Sequence, residues 1–264
     1  MNSNNMTAPV FGNPVGEAFE RSVWMGSRMM YSRLIGALFL AAFLLYGVGY
    51  GLVTSVTGNP GFLSTISAHQ ITVTLGAFLM LLNSVAVVGL GVLFFPILEK
   101  HGKRTGLAYL AVRIGEGVFL AVGVVFLLMI VPLGQSAVDA GETSTAWVRT
   151  LGVLLTQANT VAYQIAMISL GFVSIFMCLL LFRTRLIPRP LSAWGVIGYA
   201  IFMTGAIAEI FGIRIGLICS IPGGLFEITI GIWLLTKGFQ PEAYGGQTQV
   251  VMTSPITRSA PTTV

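Results

Sequence analysis

From about Ile71 to Leu98 the chain carries no charged side chain. A helix of that length crosses the roughly 30 Å hydrocarbon core of a bilayer, and five further runs resemble it. They extend from about Leu34 to Val56, Leu107 to Leu133, Leu155 to Phe182, Leu191 to Ile213 and Leu217 to Leu235. Hydrocarbon offers backbone groups no partners, so such runs must satisfy their N–H and C=O groups internally, as helices. The expected fold class is all-α: a polytopic membrane protein with six transmembrane helices. Composition agrees, because only 9% of the 264 residues are charged, against about 25% in an ordinary soluble domain.

Basic residues set the expected orientation. Arg21, Arg28, Arg33, Lys100, Lys103, Arg104, Arg183, Arg185, Arg189 and Lys237 fall on one side of six spans, and only Arg149 and Arg214 fall on the other. Both termini are therefore expected in the cytoplasm and the spans in the cell (cytoplasmic) membrane. Residues 1–33 form a cytoplasmic N-terminal segment. Its stretch from Val15 to Tyr31 reads either as a helix lying in the headgroup region or as a poorly ordered tail. Residues 34–239 form the membrane domain. Residues 240–264, rich in Ser, Thr, Gly and Pro, read as a disordered cytoplasmic tail. The first thirty residues show no cleavable signal pattern.

Local signals refine this plan. Gly47-x-x-x-Gly51 is a small-residue pair of the kind that lets helices approach. Glu99-Lys-His-Gly-Lys-Arg104 reads as a tight basic loop, and Gly134–Thr150 as the longest connection between spans. Pro222-Gly-Gly224 reads as an interruption of the last span, a feature that often borders membrane binding sites.

The same inventory limits the chemistry. The net charge of +5 comes from short loops and gives no patch suited to nucleic acid. Cys178 and Cys219 lie in apolar stretches and read as small packing residues. His69 and His101 stand at segment ends, so no haem, copper or zinc site is expected. No lysine lies within a span to hold retinal, and no serine and histidine fall together as a protease pair. No metal ligand, cofactor or catalytic residue is singled out.

What stands out is Tyr109-Leu-Ala-Val-Arg113-Ile-Gly-Glu116-Gly117 in the third span. Intramembrane charge is costly and, where it occurs, usually faces a protein interior. At about 1.5 Å rise per residue, Arg113 lies roughly 13 Å, Glu116 roughly 18 Å and Glu227 roughly 15 Å from the cytoplasmic end. The three share one level, and Arg113 and Glu116 share a helix face. A bidentate Arg113–Glu227 contact with Glu116 alongside is the expected pairing. Two carboxylates and one guanidinium leave one negative charge over, and one glutamate is expected to hold a proton. Asn83, Gln164, Glu209 and Arg214 are secondary polar candidates. The amide of Asn83 is expected to bridge helices, and Glu209 is expected to pair with Arg214 at the outer interface.

The Arg113-x-x-Glu116 pair following a basic loop is joined by Leu181-Phe-Arg-Thr-Arg-Leu-Ile-Pro188-Arg-Pro-Leu-Ser-Ala-Trp-Gly195. A third stretch is Leu225-Phe-Glu227-Ile-Thr-Ile-Gly231-Ile-Trp-Leu-Leu-Thr-Lys237-Gly238-Phe239. With these, the chain resembles, over roughly residues 33–239, the bacterial membrane family catalogued as domain of unknown function 4386. The resemblance implies six spans, and implies that Arg113, Glu116 and Glu227 belong to the family pattern. Asn83 stands where the resemblance suggests an acidic residue. It implies no activity.

Two functions from different classes fit. The first is a membrane scaffold or sensor component in which the Arg/Glu cluster organises helix packing. The alternative is a proton-linked carrier of a small solute that uses the same cluster. The lipid bilayer is the expected environment, with a homo-oligomer or another membrane protein as partner.

Overall fold

The computed structural model describes residues 14–58, 62–139 and 145–240, and among these no strand occurs. The helices are α1 (Pro14–Thr57), α2 (Phe62–Ile66), α3 (Gln70–Asp139), α4 (Thr145–Thr184), α5 (Arg189–Ile210) and α6 (Gly216–Thr236). Five of them, all but α2, contain stretches long and apolar enough to cross a membrane. The sixth expected run is inside α3, whose 70 residues are broken only at Gly102 (φ −170°, ψ 82°). Its two arms, 70–101 and 103–139, lie side by side and antiparallel. Near the free ends Gln135 Nε2 donates to Gln70 Oε1 at 3.0 Å. Near the reversal a Cβ on Gly106 would stand 3.0 Å from the backbone nitrogen of Glu99. The basic loop expected at 99–104 is therefore helical on both sides of one glycine. At about 1.5 Å per residue, each arm exceeds the roughly 30 Å of hydrocarbon.

The elements close into a ring: α1 packs on α3, α3 on α4, α4 on α5, α5 on α6, and α6 back on α1. Glycines set the closest of these approaches. A Cβ on Gly36 of α1 would stand 2.5 Å from the carbonyl oxygen of Gly231 in α6. One on Gly49 of α1 would stand 2.6 Å from that of Gly76 in the first arm of α3, and the reverse distance is 2.7 Å. The pair anticipated from the sequence plays no such part, since neither Gly47 nor Gly51 has an atom within 4 Å of its Cβ position. Spacing announces that a small residue is present, but the rotation of the helix decides which one meets a neighbour.

The end of the ring that holds Arg33, the Gly102 reversal and Lys237 is filled. Phe94 meets Phe39, Tyr109 and Phe239 at ring-centroid distances of 5.6–5.8 Å. Phe239 reaches this position because Gly238 takes a positive φ of 72°, and its N–H donates to Ser32 Oγ at 3.3 Å. Next to it, Gln240 N donates to Leu186 O at 3.0 Å. At the opposite end a second apolar cluster, including Val53, Phe62, Ile66, Val73, Leu127, Ile130 and Val148, joins α1, α2, both arms of α3 and the start of α4. The outer ends of α5 and α6 take no part in it.

Several boundaries differ from expectation. α1 passes through residue 33 without a break, so the change there is one of composition alone. α3 runs to Asp139 and α4 starts at Thr145, which leaves little of the connection expected at 134–150 outside helices. Pro222 does not interrupt α6, which continues from Gly216 to Thr236. A proline early in a helix forfeits few internal hydrogen bonds. The expected tail lies outside the described residues apart from Gln240.

Gly49→Ala is expected to destabilise the detergent-solubilised protein by about 1–3 kcal/mol through overpacking against α3. Gly51→Ala, facing open space, is expected to leave the thermal midpoint unchanged. Equal midpoints for the two variants would contradict this packing.

Candidate functional site

The second arm of α3 presents Tyr109, Arg113 and Glu116 at helical spacing along one face. All three are buried, with Arg113 and Glu116 each 2% exposed. Glycine makes room for the arginine, since a Cβ on Gly91 of the first arm would stand 2.7 Å from Arg113 Cβ. The guanidinium is then held within its own helix. Arg113 Nε donates to Tyr109 Oη at 2.9 Å, and Nη1 donates to Glu116 Oε2 at 3.0 Å. Its carbon lies 5.1 Å from the Tyr109 ring centroid and 5.9 Å from that of Phe39 in α1. Arg113 Nη2 is buried and has no hydrogen-bond partner among the described residues.

The expected Arg113–Glu227 bridge is absent; the Arg113 ion pair found is with Glu116. Glu227 of α6 instead accepts a hydrogen bond from Tyr199 Oη of α5 at 2.8 Å. The shared level expected from counting residues along the chain was thus not sufficient for pairing. Glu116 lies one turn from Arg113 on the same face, while a neutral hydroxyl from α5 engages Glu227. Glu209 also departs from expectation. Its Oε1 accepts from the N–H of Gly216 at 2.9 Å, which caps the start of α6 where the helix dipole favours negative charge. Arg214, in the turn between α5 and α6, is exposed and forms no ion pair with it.

These groups surround one cavity of about 420 Å³ in the middle of the ring, within the roughly 300–1,000 Å³ common for small-molecule sites. Arg113, Glu116 and Glu227 line it, and so do Asn83, Gln164 and Glu209; Arg214 alone among the sequence candidates does not. Its closed end is made of buried Phe39, Val87, Leu170 and Tyr199, and its other end reaches exposed Tyr50, Thr160 and Leu217. That opening lies at the end of the ring opposite the Phe94–Phe239 plug. α1 and α4 supply a tyrosine wall: Tyr46 and Tyr163 stack with centroids 5.1 Å apart, and Tyr46 and Tyr50 with centroids 6.0 Å apart. Asn159 also faces the cavity.

Tyr46 and Tyr199 carry no sequence signal, because an aromatic residue in an apolar helix looks the same facing lipid or facing a cavity. Tyr109 had a usable signal, one helical turn before Arg113. Cys178 fills a buried gap where a Cβ on Gly195 would meet its sulfur at 2.6 Å, and both cysteines are free. Among the described residues no group of three or more His, Cys, Asp or Glu is arranged to hold a metal.

The two carboxylates therefore respond differently to substitution. Glu116→Gln removes the counter-charge of a buried guanidinium and is expected to cost about 3–5 kcal/mol. Glu227→Gln keeps a carbonyl oxygen to accept from the Tyr199 hydroxyl and removes a charge that has no ion-pair partner, so a change of no more than about 0.5–1.5 kcal/mol is expected. Denaturation in detergent checks the order, and a larger loss for Glu227→Gln would restore the interhelical pairing.

The model of the family described as "Domain of unknown function (DUF4386)" matches residues 34–238. No curated protein matches the chain, and no solved structure does. The chain belongs to the DUF4386 family.

Proposed function

Starting from a family whose description assigns no activity, we propose that this protein binds a small solute inside its helix ring and carries it across the membrane. The observation that carries this reading is the cavity of about 420 Å³ with Arg113, Glu116 and Glu227 in its wall. A cluster serving only to fix helix packing would join helices. This ion pair lies within one helix at i, i+3 spacing, and the close helix approaches are set by glycines instead.

Orientation follows from charge. Each arm of α3 counts as one crossing, which gives six. The Gly102 reversal, the α4–α5 connection and the end of α6 then share the basic side, the cytoplasm by the positive-inside rule. The cavity opens on the other side, so the structure is read as the outward-facing state. Phe94, Tyr109 and Phe239 form the inner closure. Arg113, Glu116 and Glu227 leave one carboxylate charge over in the wall, and it is this surplus that ties the reading to a charged solute.

Gly224 lines the cavity, and a Cβ there would contact only Phe43, at 3.4 Å. Gly224→Cys in a Cys178→Ala, Cys219→Ala background, reconstituted in liposomes, is expected to react rapidly with a membrane-impermeant thiol reagent added from the side opposite the basic loops. A carrier also gives slower labelling from the basic side, since alternating access exposes the site to both. Labelling from one side alone would reduce the reading to a receptor. No labelling from either side would return the cluster to a scaffold role.

A further inference from the structure

The charges and rings of the cavity wall indicate what it takes. Four charged side chains line it: three carboxylates, Glu116, Glu209 and Glu227, and one guanidinium, Arg113. Arg113 is neutralised at 3.0 Å by Glu116. Glu227 forms no ion pair: it accepts a hydrogen bond from the hydroxyl of Tyr199 at 2.8 Å, and Arg113 acts on it only through space. Glu209 near the mouth accepts from a backbone N–H at 2.9 Å. Both carboxylates are half-buried, and a carboxylate in a low-dielectric wall with no ion-pair partner favours a cation beside it.

The remaining wall suits the same occupant. Tyr46, Tyr50 and Tyr163 form a run of parallel rings, with interplanar angles of 8° and 20°. Ring faces carry negative quadrupole charge and attract organic ammonium ions, more strongly when the ion is desolvated. An anion would find the reverse, because Glu116 already holds the guanidinium and the other two carboxylates repel it. One group asks for more than charge. Arg113 Nη2 is a buried donor without an acceptor on a residue of the cavity wall, and an oxygen on the occupant would satisfy it.

We propose that the cavity is a binding site for a small organic ammonium cation with an apolar body, its positive centre beside Glu227 and against the tyrosine wall that Tyr46 and Tyr163 form. An oxygen acceptor on the same molecule completes the site at Arg113. Glu209 stands at the mouth as the first counter-charge such a cation meets. This assignment rests on the solute-binding reading above and narrows it to a chemical class.

Three probes of similar shape and different charge test it: benzyltrimethylammonium, phenylacetate and benzyl alcohol. They are titrated calorimetrically into the full-length protein in nanodiscs. The cation is expected to bind at least tenfold more tightly than either of the others. Glu227→Gln and Tyr163→Leu are each expected to weaken it at least tenfold. Gly51→Ala, outside the cavity wall and facing open space, is expected to retain binding, and a monodisperse elution profile for each variant guards against misfolding. Tightest binding of phenylacetate would overturn the cation class while leaving a solute site. So would equal binding of the cation and the alcohol, unaffected by Glu227→Gln. If none of the three binds but Gly224→Cys is still labelled from the open side, the class falls and the cavity stands. If none binds and Gly224→Cys is inert, both fall.

Discussion

A guanidinium at mid-depth in an apolar bundle needs a counter-charge within hydrogen-bond reach, because hydrocarbon supplies none. Here Tyr109, Arg113 and Glu116 meet that need on one helix face, over two turns of the second arm of α3. The wider arrangement follows. Gly91 must lack a side chain for the two arms to close over Arg113. Phe39 of α1 must lie near the guanidinium. Because the pair is satisfied inside one helix, the other helices are free to stand back from it, and the space left is the cavity.

That space has one filled end and one open end, for reasons of side-chain size. Large rings from α1, both arms of α3 and the residue after Gly238 meet at the basic end. At the other end the apolar cluster joins α1, α2, α3 and α4 but leaves the α5–α6 turn outside it. α5 and α6 pack closely on each other at Gly195, Gly198 and Gly205, and Glu209 capping α6 and Tyr199 on Glu227 add two hydrogen bonds between them.

The polar residues sort by the partners their own helices can offer. Arg113 and Glu116 are adjacent on one face, so their pairing needs no other element. Glu227 and Glu209 depend on α5 and α6 lying together, and each takes a neutral donor. The surplus of negative charge in the wall is a consequence of this sorting. It is the feature on which the proposed cation site rests.

Apolar run length and rise per residue are properties of the chain alone, so the sequence by itself determined the helical membrane character, the shared depth of Arg113, Glu116 and Glu227, and the intrahelical neighbours of Arg113. Six of the seven polar candidates read from it line one cavity, because buried polar groups in apolar helices have few other places to face. Tertiary structure alone decided that Gly49 rather than Gly47 or Gly51 meets a neighbour, that Tyr199 rather than Arg113 bonds Glu227, and that Glu209 caps a helix instead of pairing with Arg214. It also decided that tyrosines form a wall. Each of these depends on the rotation of one helix against another. Rotation is fixed by the summed packing of both partners, which no stretch of sequence contains.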